Sequence, residues 1–232
     1  MTDEESAAGY AGRRVSYTAG ELTEDRLART PLGQFETWYA DAVAAGLPEP
    51  NALVLATVDG DGAPSARTVL LKQADGRGFA FYTNHRSRKG RALETGGRVA
   101  LVFPWHPLQR QVGVVGRAVR LPVEEARAYF GSRPWASRIG AWTSRQSEPL
   151  ADRSELERRF AELAGRWPDR GDPDDVPMPE HWGGYLVRAA EVEFWQGRPS
   201  RLHDRLVFVA TAGAGDGDLD DAAAWRVERR QP

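Results

Sequence analysis

Cysteine is absent from the 232 residues. That excludes disulfides, thiolate metal sites and a cysteine nucleophile, and it fits a reducing compartment. An excess of basic charge is missing too: 31 Lys and Arg stand against 33 Asp and Glu, a formal net charge of −2. Binders of nucleic acid or of membrane surfaces usually carry a basic excess, so the totals favour neither partner. No apolar run approaches the roughly 20 residues that span a bilayer. Met1 to Gly12 is acidic and rich in small residues, without the hydrophobic core of a signal peptide. His85, His106, His181 and His203 are scattered and form no metal-ligand motif. No P-loop or Rossmann glycine pattern follows a strand, and neither an internal repeat nor strand–helix alternation is present. A soluble, cytoplasmic chain without a metal site is expected, 41% hydrophobic and long enough to bury a core and a ligand pocket.

Residues 1–20 read as a mobile arm and 21–232 as a single domain. Thr30 and Pro31 start a first helix with the apolar stripe Leu32, Phe35, Trp38 and Tyr39, closed by Gly46. The period then changes. Strands are expected over 51–58, 66–72, 78–83, 98–103, 111–121, 184–195, 201–210 and 225–229. Between them, Ser87 caps a short helix that stops at Gly96-Gly97, and a second helix covers 122–130. Ser154-Glu-Leu-Glu157 has capping-box spacing ahead of a third. The Gly- and Asp-rich stretch 211–224 reads as a hairpin loop. The close succession of strands favours antiparallel pairing, so the expected class is α+β, centred on an antiparallel barrel with flanking helices.

Basic residues are unevenly spread. Seven lie between Arg67 and Arg91, against one acidic residue, Asp75. Charge clusters are usually solvated surface, but Arg67 and Lys72 bracket the apolar run Val69-Leu70-Leu71. Arg88 and Lys89 follow the cap Ser87, and cations in a first helical turn oppose the helix dipole unless an anion compensates. Phosphate is the usual such anion. Arg67 and Lys72 are five apart, so a regular strand points them to opposite faces, which suits two anions or a bulge. Tyr129, Arg133 and Ser137 form a second donor set, converging from a helix end and the turn after it because Pro134 interrupts a continuous helix. Arg201, His203 and Arg205 alternate, which on a strand places all three on one face. With Trp195 nearby, such a cationic face suits a flavin or another anionic heterocycle.

These segments resemble the pyridoxamine 5'-phosphate oxidase family. The resemblance is carried by Arg67-Thr-Val-Leu-Leu-Lys72, Phe81-Tyr-Thr-Asn84 with Ser87-Arg-Lys89, Phe103-Pro-Trp105 with Arg110-Gln-Val112, and Ser132-Arg-Pro134. It continues through Ile139-Gly-Ala-Trp142 with Gln146-Ser147, Trp182-Gly-Gly-Tyr185, Glu193-Phe-Trp-Gln-Gly197 and Arg201-Leu-His-Asp-Arg205. The motifs run in order from about residue 14 to the end. The resemblance implies an FMN-binding split β-barrel and a homodimer with FMN between subunits; the charge totals and the lack of a nucleic-acid reading motif set aside nucleic-acid and membrane partners. It assigns FMN to Arg67, Tyr82, Thr83, Arg88, Lys89, Gln111, Gln146, Ser147, Trp195 and Arg205. Lys72, counted in both sets, joins Tyr129, Arg133 and Ser137 on the substrate phosphate, with Arg201 and His203 over the pyridine ring as the catalytic pair. Arg14 and Tyr17 resemble a segment that closes over the substrate. The implied reaction oxidises pyridoxine or pyridoxamine 5'-phosphate to pyridoxal 5'-phosphate, with O2 as acceptor and hydrogen peroxide (and ammonia from the amine) as by-products. His203 is either a proton acceptor or an orienting group.

The C-terminal Arg229-Arg-Gln-Pro232 departs from the family's usual Arg-Leu-Ala-Pro and puts the packing of the last strand in question. The 211–224 loop is longer than usual, and neither departure is expected to touch a ligand contact. Two rivals are a split-barrel flavin or deazaflavin reductase with another substrate, and a non-catalytic flavin or pyridoxal phosphate binder. Neither need keep Arg133, Ser137, Arg201 and His203 together.

Overall fold

The structure, a computed structural model, describes residues 15–211 and 217–232. Arg14 therefore lies outside the described residues. One antiparallel sheet is built from β1 (Ala52–Val58), β2 (Pro64–Leu70), β3 (Gln73–Asp75), β4 (Gly78–Asn84), β5 (Arg98–Trp105), β6 (Arg110–Arg120), β7 (Trp182–Gln196), β8 (Asp204–Ala210) and β9 (Trp225–Arg229). Its path runs β2-β1-β5-β6-β7-β4-β3, with β8 pairing β7 and β9 pairing β8. The 15-residue β7 organises the curl. β6 lies along its length on one side, while on the other its first half pairs β4 and its second half pairs β8. A bulge at Val115/Gly116 bends the β6–β7 ladder, the usual device for curling a sheet. The expected split barrel is the fold observed.

Apolar alternation fills the barrel. Leu53, Leu55, Phe79, Phe81, Leu101, Phe103, Val112 and Phe194 are each at most 1% exposed. The helix α1 (Pro31–Ala44) plugs this core. Thr30 caps it by accepting from Gly33 N–H at 3.1 Å, and the Phe35 ring meets Phe79 and Phe103 edge-on at 5.1 and 5.0 Å. A second cluster joins Phe130 of α3 (Val123–Ser132), Ile139 of α4 (Trp135–Thr143), Val176 and Trp182. α5 (Arg153–Arg166) contacts α4. Among the described residues no helix is long and apolar enough to cross a membrane, and no cluster of His, Asp and Glu could hold a metal.

Three expectations change. α5 starts at Arg153, two residues ahead of where a Ser154 cap would place it, because Asp152 accepts from Ser154 N–H at 2.6 Å and serves as the cap. α4 is a helix that the sequence patterning did not reveal: Gly140 interrupts its apolar pattern and only nine residues carry it. The strand expected over 201–210 begins only at Asp204. Pro199–Arg201 is a 3-10 turn in which Ser200 and Arg201 both adopt left-handed φ, 58° and 63°. Pro199 withdraws a ladder donor, and a left-handed pair cannot continue a pleated strand. Residues 212–216 of the expected loop lie outside the described residues.

α2 (Arg88–Thr95) is set tightly against the barrel. Ser87 caps it, accepting from Gly90 N–H at 3.2 Å. A Cβ on Gly90 would lie 2.1 Å from the His85 carbonyl oxygen, so only glycine lets the first turn of α2 close on the strand that feeds it. Gly183 and Gly184 serve the same end. The His85 ring takes the space of one side chain, and Tyr82 with Leu121 takes the other. Gly90→Ala is therefore expected to cost about 1–3 kcal/mol through overpacking. A fall in denaturation midpoint at unchanged m-value would register it.

Candidate active site

The structure gathers eight of the predicted residues, Lys72, Tyr82, Thr83, Lys89, Tyr129, Arg133, Ser137 and Gln146, into one cleft of about 400 Å³ that Trp182 also lines. Its floor is aromatic. Tyr82 stacks on Tyr129 at 4.1 Å and on Trp182 at 5.4 Å. Two cations lie over these rings, the Arg133 guanidinium 4.9 Å from Trp182 and the Lys72 ammonium 5.9 Å from Tyr129. The set Tyr129, Arg133, Ser137 converges as expected: α3 ends at Ser132, Arg133 is extended, and α4 starts after Pro134.

Lys89 is the most constrained cation. It is 8% exposed, and its ammonium donates only to neutral oxygens, Gln146 Oε1 at 2.7 Å and Ser87 Oγ at 3.4 Å. Burial, reinforced by the Arg67 charge, pulls its pKa down to about 8. Arg133 Nη1 is buried without an acceptor, and burial holds this guanidinium below its ordinary value. A charge buried against neutral partners and a buried donor left unmatched are both costly, so Lys89 and Arg133 each fit the approach of an anion. Thr83 Oγ1 also donates to Gln146, at 3.2 Å.

Arg67 donates to Thr57 Oγ1 at 2.8 Å, Ser65 Oγ at 2.5 Å and the Leu55 carbonyl at 3.2 Å. Burial first, and then the Arg88 charge, lower its pKa. Arg88 pairs with Asp59 at 2.8 Å and is half exposed. The parity argument for Arg67 and Lys72 does not apply, because β2 stops at Leu70. Lys72 lies in the turn into β3, its N–H donating to the Ala80 carbonyl at 2.8 Å. Ser147 is exposed, with φ 75°.

A second group lies along β6, β7 and β8. Gln111 is directly opposite Trp195, and Trp195 directly opposite Arg205, so the three side chains share one face of the sheet. Arg205 Nη2 donates to Glu193 at 2.6 Å and Nη1 to the Gln231 carbonyl at 3.0 Å, while its Nε is buried without a partner. Glu193 opens the Glu193-Phe-Trp-Gln-Gly197 motif but has no role assigned from the sequence. Its place two residues before Trp195 on the same strand face is the signal that could have found it. The C-terminal departure thus does touch a predicted ligand residue, through a backbone carbonyl that any residue supplies.

A separate cleft of about 640 Å³ is lined by Val15, Ser16, Tyr17, Trp195, Arg198, Ser200, Arg201 and His203. His203 lies 4.6 Å from the Trp195 ring, and Tyr17 lies 5.6 Å from His203. Arg201 and His203 meet in this cleft through the left-handed turn and not on a strand face. The Arg198 backbone N–H donates to His203 Nδ1 at 3.0 Å. A neutral ring held this way carries its proton on Nε2. The two clefts share no lining residue.

The architecture is that of the split-barrel oxidases. Residues 39–166 match the family described as pyridoxamine 5'-phosphate oxidase, and residues 182–232 match the pyridoxine 5'-phosphate oxidase C-terminal dimerisation region. The chain is 61% identical over 222 residues to the pyridoxine/pyridoxamine 5'-phosphate oxidase of Kineococcus radiotolerans, covering 96% of this chain and 98% of that one. It is 53% identical to the enzyme of the same name from Rubrobacter xylanophilus, covering 96% of each. Among solved structures it resembles PhzG from Burkholderia lata, crystallised with tetrahydrophenazine-1-carboxylic acid: TM-score 0.79, 30% identity, 91% of this chain and 98% of that one. A Nostoc punctiforme FMN-binding protein shares the fold at TM-score 0.64 and 16% identity, over 92% of this chain and all of that one. The chain belongs to the pyridoxine/pyridoxamine 5'-phosphate oxidase family and is an enzyme.

The pKa of Lys89 makes a pH prediction. Without an anion, the buried ammonium destabilises the fold fully below about pH 8, and that cost is relieved as pH rises toward 10.5, its value when exposed. Anion binding runs the opposite way, since only the protonated form attracts phosphate. Affinity for a phosphate monoester should fall above pH 8 by up to about tenfold per unit, and Lys89→Arg should flatten the decline. Calorimetric titration at pH 7 and pH 9 checks both.

Proposed function

We propose that this chain is an FMN-dependent oxidase of pyridoxine 5'-phosphate and pyridoxamine 5'-phosphate, forming pyridoxal 5'-phosphate and reducing O2 to hydrogen peroxide. The observation that carries the proposal is a buried cation, Lys89, and a half-buried one, Arg133, lining one aromatic-floored cleft with donors that no carboxylate meets among the described residues. Two cations without a carboxylate partner in one cleft suit two phosphates, one on a cofactor and one on a substrate.

In this assignment Arg67, Arg88 and Lys89 hold the FMN phosphate, and Tyr82, Thr83, Gln146 and Ser147 hold the ribityl chain. Gln111, Trp195 and Arg205 serve the cofactor from their shared face. The orphaned Arg205 Nε supports this, because a flavin oxygen would supply its acceptor. Lys72, Tyr129, Arg133 and Ser137 bind the substrate phosphate. Arg201 and His203 meet the pyridine ring, with Arg14 and Tyr17 closing over it. Since the two clefts are separate on one chain, a homodimer in which each site draws on both subunits accounts for both, and the C-terminal dimerisation region supports it.

FMN, when bound, supplies the electron acceptor for C4' of the substrate and returns the electrons to O2. The protein fixes the substrate by its phosphate and orients its ring. Arg201 stays protonated and acts by charge and position. His203, its Nδ1 occupied by the Arg198 amide, offers Nε2–H as a donor, which favours orientation over proton abstraction.

The purified protein should show a flavin spectrum and, given pyridoxine 5'-phosphate, release pyridoxal 5'-phosphate and peroxide in equal amounts. Arg201→Ala with His203→Ala should lower turnover by about 100-fold or more while FMN stays bound. Arg133→Ala should raise KM by about tenfold or more, the loss of a charge-assisted phosphate contact. A colourless protein that stays inactive with added FMN, or near-normal turnover in the double variant, would sink the proposal.

A further inference from the structure

Arg198 belongs to none of the ligand sets above, yet its side chain joins three pieces of the second cleft. Nη1 donates to the Gly20 carbonyl and to the Glu21 carboxylate, both at 3.2 Å, and Nε lies 3.6 Å from Asp204 Oδ2. Asp204 follows His203 directly and is partly buried. It accepts from Leu22 N–H at 3.0 Å and pairs with Arg229 at 2.9 Å. The N-terminal segment is thus tied to the strand end that carries His203.

The neighbouring glycine completes the arrangement. A Cβ on Gly197 would lie 2.8 Å from the Tyr17 ring, so the missing side chain is the slot in which Tyr17 sits. From there Tyr17 meets Trp195 edge-on at 5.9 Å and His203 at 5.6 Å. Two more bonds fasten the segment on either side of the Arg198 contacts: Ala19 N–H donates to Gln109 Oε1 at 2.9 Å, and the Leu22 amide is held as above. The slot has no means of holding its own occupant, since an aromatic edge contact contributes only about 1 kcal/mol. The guanidinium of Arg198 hydrogen-bonds two acceptors through Nη1 while Nε lies within ion-pair reach of Asp204, a spread of contacts that the single point charge of lysine does not match.

We propose that Arg198 is a positioning residue: it clasps Gly20 and Glu21 to Asp204, so that Tyr17 is seated against Trp195 and His203 before substrate arrives. It acts through Tyr17 and not on the reacting atoms. Its effect on KM rests on the oxidase reading above, whereas its effect on the segment does not.

The test uses the full-length protein as purified, with Arg198→Ala and Arg198→Lys. Amide exchange across residues 19–22 is measured without substrate, and KM and kcat with pyridoxine 5'-phosphate. In Arg198→Ala exchange should quicken and KM rise, each by about three- to tenfold for a partly exposed charged contact, with kcat and flavin content held. Arg198→Lys should fall between. Exchange at the wild-type rate in Arg198→Ala overturns the proposal. So does faster exchange with KM unchanged, which would make the contact merely structural, and so does a joint loss of kcat and flavin. If the wild-type protein fails to turn over, the oxidase reading falls, and exchange alone decides the clasp.

Discussion

The site is organised around cations that the fold buries without matching carboxylates. Lys89 has only amide and hydroxyl oxygens within reach, and Arg133 keeps a donor with no acceptor at all. Such groups are a liability in an empty protein and an advantage in one that meets a phosphate. Much else serves to hold them. Gly90 lets the α2 turn approach the His85 backbone, Ser87 caps that turn, and the Trp182–Tyr185 segment uses two glycines to admit His85 and Tyr82. The rings of Trp182, Tyr82 and Tyr129 then give Arg133 and Lys72 a surface that compensates part of their desolvation without neutralising them.

What could be read from the sequence follows the range over which each feature is determined. Helix starts at Thr30 and Ser87 depend on two or three adjacent residues, and both were legible. Strand existence follows from alternation and was legible along β1, β4, β5, β6 and β7. Ends were less so: β2 stops at Leu70 because the chain must turn to pair Lys72 N–H with Ala80, a demand set by β4. The left-handed pair Ser200–Arg201 was invisible, since an alternating Arg-x-His-x-Arg pattern reads as a strand whatever its backbone does. The Glu193–Arg205 pair was equally hidden, because it depends on the β7–β8 register and not on nearness in sequence. Family motifs supplied the residue list where physical periodicity could not.

The C-terminal departure shows how tolerant a register can be. Arg229 and Arg230 stand where an Arg-Leu pair is usual, and the last strand still pairs β8 from Trp225 to Arg229. Both arginines are anchored, Arg229 on Glu24 and Asp204, Arg230 on Glu191. Arg229 also holds Glu24 well below its ordinary range, at about 2. Exposed pairs of this kind contribute little stability singly. Their value here is positional, since Asp204 sits between β9 and the N-terminal segment and fixes one relative to the other.

That position matters because the proposed catalytic pair, Arg201 and His203, is not held by regular structure. A strand would have fixed Arg201 by ladder hydrogen bonds. The observed turn instead leaves it exposed, in a backbone conformation that costs roughly 1–3 kcal/mol per residue. His203 is pinned by one amide, at Nδ1, and walled by Trp195 and Tyr17. The strained turn presents both side chains to one cleft, which a strand beginning at Asp204 could not do alone. Its rigidity has to come from outside the sheet, from the segment laid across it and from the charges around Asp204.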